Sequence, residues 1–85
     1  MKKIRLFHAS WCPHCVNAKG WLNELLEENP EYKKLDIEMI DIDRQKDKLV
    51  GVDFYYVPTF YIDSAKAFEG VPSKEIVQKV LDEAK

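Results

Sequence analysis

The sequence has 85 residues, of which 46% are hydrophobic and 33% are charged, a balance typical of one small globular domain spanning 1–85. Thirteen Lys and Arg against fifteen Asp and Glu leave a formal net charge of −2. This charge argues against a nucleic-acid partner, because no excess positive charge is available to neutralise phosphates. No apolar run approaches the ~18 residues of a membrane span, and none follows the first lysines as in a signal peptide. We therefore expect a cytoplasmic protein without a membrane partner. We also expect it to be a monomer.

The hydrophobic pattern predicts alternating strands and helices along the chain. Alternating apolar residues predict a strand over 3–9, and apolar residues at helical spacing predict a helix over 13–28. Pro13 suits the first position of that helix, because its missing N–H would be unpaired there anyway. The remaining pattern predicts, in order, a strand over 35–42, a short helix over 43–51 capped by Asp43, a strand over 54–62 broken by Pro58, a strand over 65–68, and a last helix capped by Ser73. Proline cannot donate to a central ladder, so Pro58 is expected at the start of the third strand.

This β-α-β-α-β-β-α order implies the topology of the sheet. A strand–helix–strand opening favours parallel pairing of the first two strands. The short connection at Asp63-Ser64 favours an antiparallel hairpin between the last two. We predict an α/β fold with a mixed four-stranded sheet flanked by three helices.

The strongest chemical signal is Cys12-Pro13-His14-Cys15, which follows a buried strand and opens a helix. The free N–H groups and the dipole of a helix N-terminus stabilise an anion. Cys12 is therefore predicted to be an exposed, attacking thiolate. Cys15 lies one turn further in and is predicted to be more buried, where it can resolve a mixed disulfide. Pro13 and His14, between the two sulfurs, are predicted to tune the thiolate. The alternative for His14 is a solvated side chain on the first turn.

Two other interpretations of the cysteine pair remain open at this stage. Two thiolates supply half of a tetrahedral Cys₄ metal or iron–sulfur site, so such a site would need a dimer or outside thiols. Alternatively, the pair could be chemically idle in a binding module. Thiols kept reduced in the cytoplasm favour a catalytic or metal-binding pair over a structural bridge. We predict no metal, because the two cysteines alone supply only half of such a site.

Two motifs then identify a family resemblance. Ala9-Ser10-Trp11-Cys12-Pro13-His14-Cys15 followed by Ala18-Lys19 resembles the thioredoxin superfamily. Its Ala-x-Trp-Cys part is similar to thioredoxins, and its Cys-Pro-x-Cys-x-x-Ala-Lys part is similar to glutaredoxins. Val57-Pro58-Thr59 resembles the Val/Ile-Pro-Thr stretch whose proline is cis and lies against the active cysteines.

The resemblance implies a minimal thioredoxin fold, glutaredoxin-like in length and element order. It implies an enzyme, a thiol–disulfide oxidoreductase, with no bound cofactor and a redox-active Cys12–Cys15 disulfide. The expected partners are disulfide-containing proteins, which would bind at Trp11, Val57, Pro58 and Thr59. The electron donor would be a thioredoxin-type reductase or glutathione, and the expected cellular role is that of a cytoplasmic reductase.

Three departures from the family pattern bear on that implied mechanism. Leu6 stands where thioredoxins carry a buried Asp that helps move the proton of the inner thiol. Ala9 stands where glutathione-binding glutaredoxins carry Lys or Arg, and Gly70 stands alone where they have a Gly-Gly pair followed by Asp. A glutathione-dependent glutaredoxin therefore remains an alternative rather than the leading prediction.

Overall fold

The structure is a computed structural model that describes residues 2–85. Its strands and helices, in chain order, are β1 (Lys3–His8), α1 (Pro13–Glu28), β2 (Asp36–Asp41), β3 (Thr59–Ile62), β4 (Ala65–Glu69) and α2 (Lys74–Ala84). Two short 3₁₀ helices, Pro30–Lys34 and Lys46–Leu49, lie on either side of β2. Among the helices of residues 2–85, none is both long and apolar enough to cross a membrane.

The four strands form one mixed sheet in the order β2-β1-β3-β4. β1 pairs in parallel with β2 and antiparallel with β3, and β3 pairs antiparallel with β4. At the centre, Leu6 lies between Met39 of β2 and Phe60 of β3. The predicted α/β class and mixed four-stranded sheet are confirmed. In this strand order the C-terminal end of β1 lies between its neighbours β2 and β3.

Both α-helices pack against the same face of the sheet. α1 begins at Pro13, as predicted, and α2 is capped by Ser73, whose hydroxyl oxygen accepts a hydrogen bond from the Ile76 N–H at 3.2 Å. The core between the helices and the sheet consists of buried side chains from all these elements, mainly Ile4, Leu6, Ala18, Leu22, Leu25, Phe60, Val77, Val80 and Leu81. This packing holds the N-terminus of α1 firmly beside the end of β1.

The opposite face is covered by a loop segment, and here the prediction of a helix over 43–51 is wrong. The segment contains only the 3₁₀ helix Lys46–Leu49, and Val50 is 85% exposed. Asp43 does not cap a helix. The turn is held instead by Asp41, whose side chain accepts from the Asp43 and Arg44 N–H groups. With so few apolar contacts available, these side-chain bonds compete successfully with helix formation.

The strand predicted over 54–62 is shorter in the structure and begins at Thr59. Pro58 has no N–H to donate to a sheet ladder, so pairing starts only after it. Before it, the Tyr55 and Tyr56 N–H groups donate to the Glu69 carboxylate rather than to a neighbouring strand. Residues 54–58 therefore form a loop beside the N-terminus of α1.

Candidate active site

The two cysteines lie at the N-terminus of α1, which follows β1 after a short turn. Cys12 is the N-cap residue, and its sulfur accepts a hydrogen bond from the Cys15 N–H at 3.2 Å. The Val16 N–H donates to the Cys12 carbonyl oxygen at 3.2 Å, which closes the first helical turn. The Cys12 sulfur therefore lies where backbone N–H groups can stabilise a negative charge.

Both thiols are free, and both are largely buried. Cys15 is fully buried, as predicted, but Cys12 is only 4% exposed, so the prediction of an exposed Cys12 is wrong. The two residues form an apolar cluster with Ala9, and the side chains of Ile42 and Val57 pack against it. Cys12 is covered by residues distant in the sequence, which the local pattern around the cysteines does not reveal.

Burial has a large effect on the pKa of Cys15, the inner of the two thiols. Loss of solvent, and after it the hydrogen bond to Cys12, raise the pKa of Cys15 to about 12. The Ala9 N–H and the Lys19 ammonium oppose this increase. Cys15 is therefore a protonated thiol at neutral pH, and it must lose that proton before it can act as a nucleophile.

The Val57-Pro58-Thr59 segment lies directly against the cysteines. The Cys12 thiol donates to the Val57 carbonyl oxygen at 3.4 Å, and the Val57–Pro58 peptide bond is cis, as the resemblance implies. Pro58 is buried. Thr59 is fully buried and its hydroxyl donates to the Tyr56 carbonyl oxygen at 2.5 Å, so its side chain supports the loop and is closed to a substrate.

Trp11 lies on the surface next to Cys12 and is 66% exposed. Its indole Nε1–H donates to the Asp43 carboxylate at 2.9 Å. Asp43, predicted as a helix cap, is thus a residue of the site. The sequence carries no signal for this contact, because the two residues are joined only by the folding of the segment after β2.

A shallow groove of about 380 Å³ runs beside the helix N-terminus. It is lined by His14, Tyr56, Val57, Glu69, Gly70 and Val71. Its floor is held together by the Gly70 N–H, which donates to the Pro58 carbonyl oxygen at 3.2 Å. Gly70 has φ +116°, a backbone conformation that residues with a Cβ rarely adopt. The groove therefore lies between the loop of residues 54–58 and the start of the loop before α2.

Glu69 places an ionised carboxylate in this groove, for which the sequence carries no signal. The Tyr55 N–H, the Lys66 ammonium and the Tyr56 N–H all favour its ionised form, and they lower the pKa of Glu69 to about 2. The Lys66–Glu69 ion pair has an N–O distance of 2.9 Å. His14 lies on the wall of the same groove and is solvent-exposed, as is Pro13.

Within residues 2–85, no group of three or more His, Cys, Asp or Glu side chains is placed to hold a metal ion. The two thiols of this site differ. The Cys12 sulfur caps α1, and Cys15 is fully buried behind it. Such a pair can pass from dithiol to disulfide and back through a mixed disulfide with another molecule. Fold and site together define a dithiol protein of the thioredoxin class.

Comparison with known proteins agrees with that class. The sequence profile of the thioredoxin family matches residues 3–83. The chain is 32% identical over 79 residues to the thioredoxin of Methanocaldococcus jannaschii, a match that covers 93% of this chain and 91% of that protein. It is 30% identical over 82 residues to a probable thioredoxin of Methanothermobacter marburgensis, covering 95% of this chain and 94% of the relative.

Solved structures show the same fold at lower sequence identity. The thioredoxin of Malassezia sympodialis superposes with a TM-score of 0.77 at 20% identity, covering 98% of this chain and 74% of that one. The oxidised thioredoxin of Plasmodium falciparum gives a TM-score of 0.74 at 19% identity, covering 96% and 79%. The chain belongs to the thioredoxin family and is a thiol–disulfide oxidoreductase. Membership implies disulfide-containing protein substrates and a reductase partner.

Proposed function

We propose that this protein reduces disulfide bonds of other proteins in the cytoplasm, through Cys12 and Cys15, with electrons supplied by a thioredoxin-type reductase. The observation that carries the proposal is the pairing of the two thiols at the start of α1. The Cys12 sulfur caps the helix and accepts the Cys15 N–H at 3.2 Å, while Cys15 is buried behind it. This arrangement supports different roles for the two sulfurs.

Cys12 is the proposed nucleophile, and Cys15 is the proposed resolving thiol. The Cys12 thiolate attacks one sulfur of a substrate disulfide and forms a mixed disulfide, and the other substrate sulfur leaves as a thiolate. Cys15 then loses its proton and attacks the Cys12 sulfur. The Cys12–Cys15 disulfide forms, the bond to the substrate breaks, and its electron pair stays on the second substrate sulfur. The substrate gains two electrons, and the dithiol loses them.

The surface around Cys12 favours a polypeptide substrate. Trp11 is 66% exposed, Tyr56 is 70% exposed and Val71 is 66% exposed, and the last two line the groove beside His14. Exposed aromatic and aliphatic side chains grouped around one site are typical of protein-binding surfaces. We also propose that the protein acts as a monomer.

The groove favours a protein reductase over glutathione as the electron donor. Glutathione is an anionic tripeptide, and its carboxylates would approach the Glu69 carboxylate, whose pKa is about 2. Of the described residues that line the groove, none is Lys or Arg. Ala9, at the position of the glutaredoxin cation, is fully buried. Charge-assisted contacts of about 1.5–3 kcal/mol each would therefore be missing for glutathione.

The use of cysteine supports the proposed compartment. The chain contains two cysteines, and both lie in the site. Its fold therefore depends on no structural disulfide, which suits a compartment that keeps thiols reduced.

The test offers the oxidised protein two sources of electrons. One is NADPH with a thioredoxin-type reductase, and the other is glutathione with NADPH and glutathione reductase. We expect faster NADPH consumption with the thioredoxin-type reductase, and none above background with Cys12→Ser. Glu69→Gln should speed the glutathione route, whereas Glu27→Gln, on the exposed surface of α1, should not. Efficient reduction by glutathione alone would overturn the proposed donor and favour a glutaredoxin.

A further inference from the structure

His8 is a half-buried titratable side chain that the proposed reaction has not yet used. Alternate residues of a strand share one face of the sheet, so His8 follows Ile4 and Leu6 on the face that packs against α1. Because α1 runs back over this face, its first turns, which include Cys15, lie over the end of β1 where His8 is found. The sulfur of Cys15 is also within reach of the backbone N–H of Ala9, the residue next to His8.

The Nδ1 atom of His8 is buried and, among the described residues, has no hydrogen-bond partner. Buried polar atoms in folded proteins are nearly always paired, so an unpaired one calls for an explanation. In a neutral imidazole that carries its proton on Nε2, Nδ1 has a free lone pair. His8 therefore offers a buried proton acceptor on the face of the sheet that packs against α1, the helix that carries Cys15.

The charges around His8 suit a base that receives a proton for a short time. Burial and then the positive charge of Lys19 on α1 lower the pKa of His8, so the ring is neutral at pH 7. Asp41 of β2, its partner in the sheet register, acts in the opposite direction and stabilises the imidazolium once it forms. Lys19 also acts on Cys15, which places both groups in one electrostatic environment.

The reaction needs a proton acceptor at this place. Burial holds the pKa of the Cys15 thiol at about 12, and Leu6 supplies no carboxylate on this face. Without a local base, only a minute fraction of Cys15 would be thiolate at neutral pH. A neutral histidine is well suited to accept this proton, since its ordinary pKa lies near the working pH.

We propose that His8 is the general base for Cys15 during resolution of the mixed disulfide. The proton passes from the Cys15 sulfur to Nδ1 of His8 as the new Cys15–Cys12 bond forms. The bond between Cys12 and the substrate breaks, and the electron pair leaves on the substrate sulfur. His8 then releases the proton to solvent from its half-buried ring. In the reverse direction the protonated ring returns the proton to Cys15, so the role of His8 does not depend on the direction of electron flow or on the donor.

The test separates the two thiol steps. Reduced protein is mixed with excess 5,5′-dithiobis(2-nitrobenzoate) in a stopped-flow instrument, where attack by Cys12 releases one coloured thiolate and resolution by Cys15 releases a second. The variants are His8→Asn, which keeps a polar side chain that cannot accept the proton, and His8→Phe. Ile37→Val, on the neighbouring strand, is the control for a general loosening of the fold.

We expect both His8 variants to slow the second phase on the order of 100-fold at neutral pH, the usual contribution of a positioned base. The rate of the first phase should be unchanged in both His8 variants. Ile37→Val should keep the wild-type rates of both phases. The wild-type second phase should rise with pH and then level off once His8 is neutral. In the variants it should keep rising by about tenfold per pH unit, because only free Cys15 thiolate then reacts.

The proposal for His8 rests on the proposed roles of Cys12 and Cys15, and the two phases distinguish their failure. A normal first phase with an unchanged second phase in His8→Asn would overturn the role of His8 alone. A wild type without a first phase would overturn the cysteine roles and the role of His8 with them.

Discussion

The indole Nε1–H of Trp11 donates a hydrogen bond of 2.9 Å to the carboxylate of Asp43. This bond ties the residue before Cys12 to the turn that follows β2. A double-mutant cycle with Trp11→Phe and Asp43→Asn should give a coupling free energy of unfolding of about 1 kcal/mol, as expected for one exposed hydrogen bond to a charged group. Urea unfolding, followed by the fluorescence of Trp21, provides the measurement.

The matched control for that cycle pairs Trp11→Phe with Asp47→Asn, which removes the same charge from the neighbouring 3₁₀ helix. We expect additive effects for this pair. Additive effects for Trp11 and Asp43 as well would show that the hydrogen bond contributes nothing in solution.

The two cysteines should respond differently to replacement by serine. In Cys15→Ser the outer thiol can still attack, but the mixed disulfide cannot be resolved. With insulin as the substrate, this variant should accumulate a covalent adduct on non-reducing gels. Cys12→Ser should form little adduct, because its remaining thiol is fully buried and its pKa is about 12. Equal adduct yields from both variants would contradict the assignment of the two roles.

The charge of the side chain at position 14 should change the reactivity of the Cys12 thiol. His14 is exposed on the first turn of α1, and an exposed charge near a helix terminus contributes about 0.3–1 kcal/mol. The rate of Cys12 alkylation by iodoacetamide at pH 7 should therefore fall in the order His14→Lys, wild type, His14→Gln, His14→Glu, by about two- to fivefold for each unit of charge.

The control for this series makes the same charge changes at Asn23, an exposed residue of the same helix. Asn23 lies about 16 Å along the helix from Cys12, beyond the ~8–10 Å over which surface charges act at physiological salt. Its variants should alkylate at the wild-type rate. An equal response at the two positions would remove His14 from the tuning of Cys12.

The elements that local sequence patterns determine were predicted well, and those that depend on distant residues were not. The helix Pro13–Glu28 and the cap at Ser73 match the prediction, because apolar spacing and capping act within a few residues. The segment after Ile42 has few apolar residues, and the hydrogen bonds of Asp41 decide its shape. No propensity scale describes such a turn.

The same distinction applies to the site. The positions of Cys12 and Cys15 on a helix N-terminus follow directly from the motif. The cover over Cys12 comes from Val57, a residue 45 positions away, so the sequence predicted an exposed thiol where the structure has a buried one. The sequence gives no signal for Glu69 for a similar reason, since its partners are the Tyr55 and Tyr56 N–H groups on another loop.

Glu69 should make the stability of the protein depend on acid pH. The Tyr55 N–H, Lys66 and the Tyr56 N–H lower the pKa of Glu69 from an ordinary value of 4.5 to about 2. The folded state therefore holds the proton less tightly than the unfolded chain does. The resulting stabilisation is complete above the unfolded pKa and is lost as the pH falls from about 4.5 towards 2. Glu38, whose pKa is also about 2 because of Lys48 and Lys3, should add to this loss.

Urea unfolding across this pH range tests the contribution of Glu69. We expect Glu69→Gln to be less stable than the wild type at neutral pH, because the ionised carboxylate and its three partners are lost. Its free energy of unfolding should fall less steeply below pH 4.5, so that the two proteins converge as the wild-type Glu69 becomes protonated. Glu27→Gln, on the exposed surface of α1, should follow the wild-type curve. A Glu69→Gln curve that stays parallel to the wild type down to pH 2 would show that the carboxylate is not held in its ionised form.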